Sequence, residues 1–222
     1  RGLDLRDQSD PALHKDVLLS SLEVCHQLGI ELLVLHYEVA SGDTRIEEQF
    51  LEAHRWAADR AEELHVKICV ENIEVELVEP LVAFIERAAH PQLALTLDTG
   101  HAYLAARYFG FDFLTAVSAM APYLGHVHLN DNTGTFEELR ITDRVAYDAM
   151  TMGWRREFGK GDIHLPPFYG TLPFDEVLAL LDGYHGIYLC EYTYGDFAPL
   201  NQSIQETVRR HIIASRTACG EQ

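Results

Sequence analysis

Apolar residues along the chain fall into two alternating patterns. Short unbroken runs rich in Val, Ile and Leu at 31–36 (ELLVLH), 66–71 (VKICVE), 93–98 (LALTLD), 126–130 (HVHLN) and 187–191 (IYLCE) read as strands buried on both faces, as in a parallel sheet. Between them lie stretches of helical period. Asp10 and Pro11 supply an N-cap and a first-turn proline for a helix that Gly29 ends. Over 44–64, residues Ile46, Phe50, Ala53, Ala57, Ala61 and Leu64 form one apolar stripe on an otherwise charged segment. Further helices are expected over 79–89, 112–121, 173–181 and 202–217. This strand–helix order implies right-handed βαβ units in a parallel sheet or barrel.

Composition narrows the classes. With 222 residues, 47% hydrophobic and 23% charged, the chain suits a single α/β domain without disordered or fibrous bias. A formal net charge of −18 repels phosphate backbones and disfavours nucleic acid as a partner. No apolar run approaches the roughly 20 residues that cross a bilayer, and the opening RGLDLRDQSD has no signal-peptide core, so neither a membrane nor secretion is expected. The cysteines Cys25, Cys69, Cys190 and Cys219 form no CxxC pair, and a reducing cytoplasm fits them best.

The strand ends carry the chemistry. One apolar run finishes in Glu71, the next in Asp98, a third presents His128 with Asp131 beyond it, and the last finishes in Glu191. In a parallel (β/α) barrel all strand C-termini lie on one face, so these groups would converge. Three carboxylates brought together raise the pKa of at least one of them unless a cation offsets their repulsion. One divalent metal ion is therefore expected. Oxygen-rich ligation with one imidazole favours Mn²⁺ first, with Zn²⁺ second and Mg²⁺ or Co²⁺ also suitable. An acid at one strand end is ordinarily a helix cap or a loop residue, and Asp98 before Thr99 and Gly100 fits that role too; four such ends at once do not. His126 shares the face of His128 but lies deeper, as a hydrogen-bonded core histidine would. His14, His26, His54, His65, His90, His185 and His211 follow no such pattern.

In chain order, ELLVLH, CVEN, LDTGH, HVHLND, GDIHLPPFYGTLPFDEVL and IYLCE resemble the xylose isomerase-like barrel superfamily, which contains sugar phosphate isomerases and epimerases and endonuclease IV. The resemblance runs from His36 to Glu191. It implies an α/β fold of (β/α) TIM-barrel type, with Glu71, Asp98, His128 and Glu191 as the metal ligands. It further implies His101 as a substrate or second-metal residue, His36 on the pocket rim, and Asp162 and His164 over the mouth. Such barrels take about 250 residues and eight strands, whereas five strands are legible here. The chain is thus expected to be one barrel domain over 1–222, lacking the first strand, first helix and second strand, with a long loop insertion at 133–161 that acts as a lid or partner surface. Its Arg140, Arg144, Trp154, Arg155, Arg156 and Lys160 make it locally basic.

Two departures from the family stand out. The usual GxG after HLPP reads Phe168-Tyr169-Gly170, and Gly134 stands where ketohexose epimerases carry an arginine, which disfavours a simple free-ketose epimerase. The function expected is isomerisation or epimerisation of a sugar or sugar phosphate, or a related lyase or dehydratase reaction. The proton next to a carbonyl is removed through a metal-stabilised enediolate. Glu71 and Glu191 would exchange protons with the substrate while His101 polarises an oxygen. Two alternatives stay open: an endonuclease IV-like phosphodiesterase built on the same residues, and a non-catalytic sugar-binding subunit. The partners expected are a small carbohydrate and, with open sheet edges to cover, a homo-oligomeric copy.

Overall fold

The computed structural model describes residues 3–220. Five strands, β1 (Leu32–His36), β2 (Lys67–Glu71), β3 (Leu93–Asp98), β4 (Leu124–Leu129) and β5 (Tyr188–Cys190), form one parallel sheet in chain order. The sheet curls as the arc of a barrel. The intervening segments are α1 (Pro11–Leu28), α2 (Thr44–Glu63), α3 (Val78–Ala88), α4 (Thr99–Phe109), α5 (Phe113–Met120), α6 (Leu139–Thr142), α7 (Arg144–Ala149), α8 (Met152–Phe158) and α9 (Phe174–Leu180). After β5 come α10 (Tyr194–Phe197) and α11 (Asn201–Gly220).

Local chemistry accounts for the boundaries. The Asp10 carboxylate accepts from Leu13 N at the start of α1, and Gly29 closes that helix in a left-handed conformation at φ +68°. Asp43 and Asp112 cap α2 and α5 in the same way. The sequence pattern did not reveal α4, because its apolar positions merge with the preceding strand and only Asp98 marks its start.

Side chains alternate across the sheet. Ile68, Val70, Leu95, Leu97, Val127 and Leu129 face the helices and join Leu18, Leu22, Phe50, Leu81, Val117 and Val177 in one buried apolar cluster. Each such aliphatic side chain contributes about 1.5–3 kcal/mol of burial. The other face is smaller and more polar, with buried Cys69, Thr96 and His126 beneath the strand-end residues. Leu189 of β5 is 44% exposed and β1 is half-buried throughout, as expected for the two edge strands. Cys25 and Cys69 are buried free thiols and Cys190 is a half-buried one, while the side chain of Cys219 lies outside the described residues. Among the described residues no helix is long and apolar enough to cross a membrane.

The 133–161 segment folds as the short helices α6 to α8 around Tyr147, which is 1% exposed and has the Arg155 guanidinium 4.0 Å from its ring centroid. Its five basic residues are matched by five acidic ones, so the segment is basic only relative to the rest of the chain.

His54 sits in the outer core between the rings of Phe50 (4.2 Å) and Phe84 (4.9 Å), its Nδ1 2.9 Å from Phe50 O. Burial pulls its pKa down to about 4. The folded chain therefore holds His54 neutral while the unfolded chain protonates it at its ordinary value near 6.5, so stability is full above that pH and falls as pH drops toward 4. Between pH 7 and pH 5 this amounts to about 2 kcal/mol. A His54→Leu variant should lose that part of the pH dependence in urea unfolding, and an unchanged pH profile would contradict the assignment.

Candidate functional site

Parallel pairing sets the strand ends side by side. His36 is registered with Glu71 across β1 and β2, and Asp98 with His128 across β3 and β4. Glu191 follows β5 directly, its N–H donating to Leu129 O at 3.0 Å. As a result Glu71, Asp98, His128 and Glu191 each offer one ligand atom within 4.8 Å of the other three. His128 Nδ1 lies 2.9 Å from Glu191 Oε2, 3.4 Å from Glu71 Oε1 and 3.9 Å from Asp98 Oδ2.

The bonding within this group fits a cation. His128 Nδ1 and Glu191 Oε2 are buried and close, yet neither is aligned with a hydrogen-bond partner. Donor atoms that converge on a common point are what a divalent ion requires, and the carboxylates supply the compensating charge. Asp98 is fixed by its own contacts: Oδ1 accepts from His101 N at 2.7 Å, capping α4, and Oδ2 accepts from Asn130 Nδ2 at 2.7 Å. Asp98 thus caps α4 while standing in the group of donors that could hold an ion. Close packing holds it there, since a Cβ on Gly100 would fall 1.8 Å from Asn130 Oδ1.

Protonation follows from the crowding. Burial lifts Asp98 to about 7, with Glu71, Glu191 and Asp162 reinforcing the shift and His101 opposing it. Burial disfavours the charged form of His128, but Glu191 and Glu71 outweigh it and raise the imidazole to about 10. Burial likewise opposes the Glu191 carboxylate, yet His128 brings it down to about 2.

A second group of donors adjoins the first. His101, Asp162 and His164 also bring one ligand atom each within 4.8 Å of one another. His164 Nε2 lies 2.9 Å and His101 Nε2 3.4 Å from Asp162 Oδ2. The two groups are joined through His164 Nδ1, 3.0 Å from Glu191 O, and through His101 Nδ1, 3.5 Å from Glu71 Oε1. His36, 37% exposed in its side chain, stands at the open side with Nε2 3.8 Å from Glu71 Oε2.

Other residues depart from the sequence reading. Asp131 is not a member of either group: its carboxylate accepts from Asn132, Gly170 and Leu172 N–H groups and pins the loop after 165. The Gly170 contact is tight, because a Cβ there would meet Asn132 O at 2.2 Å. Phe168 takes the left-handed conformation at φ +70° that a glycine would adopt without strain, and its ring packs on Phe174 and His211, away from the cluster. His126 lies below His128 with Nδ1 unpartnered, so it is buried but only partly hydrogen-bonded. Of the insertion's basic residues, Arg140 reaches the site, where Nε donates to Glu74 Oε1, and Arg144 joins it in lining a cavity of about 250 Å³ beside the cluster. Glu74 itself, 2% exposed, went unnoticed because the surrounding ENIEVE reads as an ordinary acidic loop.

The comparisons agree with this architecture. Residues 1–213 match the family model for the xylose isomerase-like TIM barrel. No protein of curated function matches the sequence. Among solved structures, a D-tagatose 3-epimerase-like protein superposes with TM-score 0.70 at 18% identity, over 98% of this chain and 76% of that one. A xylose isomerase-like TIM barrel protein from Mycobacterium smegmatis in complex with magnesium gives 0.68 at 15% identity, over 96% and 71%. The IOLI protein with a bound zinc atom gives 0.66 at 13%, over 97% and 74%. With strand-end donors gathered on one face of a curled parallel sheet and a family model spanning nearly all of it, the chain belongs to the xylose isomerase-like TIM barrel family.

Proposed function

We propose that the protein is a divalent-metal-dependent isomerase or epimerase acting on a carbohydrate by proton transfer next to a carbonyl. The observation that carries this reading is the convergence of Glu71, Asp98, His128 and Glu191 on one point, where His128 Nδ1 is ion-paired with Glu191 Oε2 at 2.9 Å. These four residues would hold the ion. Mn²⁺ suits the donor set best, and structural neighbours described with zinc and with magnesium support a metal of this kind. When bound, the cation supplies Lewis-acid polarisation of a carbonyl and its neighbouring hydroxyl.

The chain's own groups account for the rest. Glu71 and Glu191 reach the cluster from opposite ends of the β2–β5 span, so their carboxylates can take and return a proton on different sides of a substrate carbon. Glu191, 38% exposed in its side chain, is the more accessible of the two. His101, held by Asn72 O at Nδ1, presents Nε2 to a substrate oxygen. His36 bounds the open side, and Asp162 orients His164 above it.

A second reading, metal-dependent phosphodiester cleavage, is favoured by the His101–Asp162–His164 group, which offers a further donor set. The net charge of −18 opposes an approach to nucleic acid. Metal counting separates the two: one tightly bound ion per chain is expected for the sugar enzyme, and several ions together with cleavage of abasic DNA would replace this reading by the second.

Replacing Glu191 by Gln should slow solvent-deuterium exchange into the substrate by about 10²-fold or more while the circular dichroism spectrum is retained, and a fully active variant would refute the role. Metal binding should also depend on pH. His128, at about 10 in the metal-free chain, carries a proton at neutral pH that the ion must displace. Affinity for Mn²⁺ should therefore rise roughly tenfold per pH unit between pH 7 and 9, with proton release measurable by calorimetry in buffers of different ionisation enthalpy; a flat profile would contradict it.

A further inference from the structure

The 133–161 insertion is fastened to the rest of the chain at its two stems and at two distant points. At the stems, Gly161 N–H donates to Thr135 O at 2.8 Å and Thr133 Oγ1 donates to Gly159 O, so the ends of the segment meet. Gly134 and Gly161 take the left-handed conformation there, at φ +70° and +73°, and a Cβ would meet the Tyr103 ring at 2.9 Å and Glu137 Cβ at 3.0 Å. Beyond the stems, Arg140 reaches Glu74 in the loop after β2, and Arg156 reaches Asp196 in α10, after β5. Arg156 Nε also donates to Ile163 O at 3.1 Å, between Asp162 and His164. The segment thus straps across the sheet from the β2 side to the β5 side and forms one wall of the cavity beside the cluster.

Little apolar packing holds the strap down. Between residues 138 and 160 only Tyr147 is buried, while Ile141, Val145, Trp154 and Phe158 are exposed. Segments with few buried apolar contacts open at low cost. The polar seam is incompletely paired as well: Arg155 Nε, Arg156 Nη2 and Asp162 Oδ1 are buried without hydrogen-bond partners, and opening to water would satisfy them. The two ion pairs differ in strength. Parting Arg140 from Glu74, whose side chains are 9% and 2% exposed, strands buried charge, whereas the Asp196 side chain, 58% exposed, can exchange Arg156 for water. The second pair is the one that lets go. Arg155 binds both the hydroxyl and the carbonyl of Tyr147, so α7 and α8 travel together.

We infer that the 133–161 insertion is a hinged flap beside the strand-end cluster, pivoting on its glycine stems and on the Arg140–Glu74 pair and latched by Arg156–Asp196. Closed, it walls the cavity and holds Ile163 O through Arg156; open, it frees the approach to Asp162 and His164. This motion belongs to the chain itself and does not depend on which reaction the cluster performs.

The chain's two tryptophans serve as reporters, since Trp154 lies in α8 and Trp56 in α2. The full chain labelled with 5-fluorotryptophan is followed by fluorine NMR relaxation dispersion, with Trp154→Phe assigning the two signals. The expected result is exchange between a major and a minor state at Trp154 while Trp56 stays a single narrow signal. Asp196→Asn, outside both donor groups, should raise the minor population about threefold or more. Raising salt from about 0.1 M to about 1 M should act in the same direction on the wild-type chain. A Trp154 signal without a second state in either chain overturns the flap, as does exchange that is equal at Trp56 and so reflects general unfolding. A folded Asp196→Asn variant with an unchanged minor population overturns the latch. Where that variant does not fold, the wild-type salt response decides, and a minor population that fails to rise with salt overturns it.

Discussion

The mutual repulsion of buried carboxylates governs this molecule. Glu71, Asp98 and Glu191 reach the same few ångströms from separate strands, and Asp162 joins them from the loop after β4, with no Lys or Arg paired to any of them among the described residues. Desolvation opposes these charges, and the neighbouring imidazoles outweigh it at Glu191 and Asp162 but not at Asp98. The arrangement is maintained because the backbone delivers the side chains whatever their preference, and the outer face of the sheet supplies the stability that makes this possible.

Division of labour between the two faces of the sheet explains how. Every second residue of the inner strands is fixed by aliphatic packing against the helices, which leaves its neighbours free to be polar. Cys69, Thr96 and His126 fill the inner layer below the cluster with small or polar groups, where another row of Leu and Val would have walled it off. The insertion then covers one flank through the Arg140–Glu74 pair, so that charge from a distant part of the chain sets the character of the adjoining cavity. Holding the first layer of donors by rigid strand ends and by contacts such as Asn72 to His101 is the usual way a site keeps its geometry before any ligand arrives.

Sequence reasoning reached the parts of this architecture that repeat. Alternation of apolar runs and amphipathic segments gives the five strands and most of the helices, because periodic burial leaves a periodic record. Strand-end polar groups are legible for a related reason: an ionisable group at or near the end of an apolar run is conspicuous, and Glu71, Asp98, His128 and Glu191 all stand at such places. Features that depend on distant contacts left no local mark. Glu74 sits in an acidic loop and becomes distinctive only when Arg140, sixty-six positions away, is folded against it. The role of Asp131 was not legible because two of its three backbone partners lie on a segment about forty residues downstream. Helix α4 was hidden by its fusion to β3, where the same carboxylate ends one element and begins the next.

That fusion restricts how position 98 can drift. Asparagine would preserve the turn that opens α4 while surrendering the anionic donor, and glutamate would keep the donor but, one methylene longer, misplace the oxygen that receives the His101 amide. In the proposed metal site, local architecture and ion affinity would thus be written into a single short side chain, and a replacement that served one of them would damage the other.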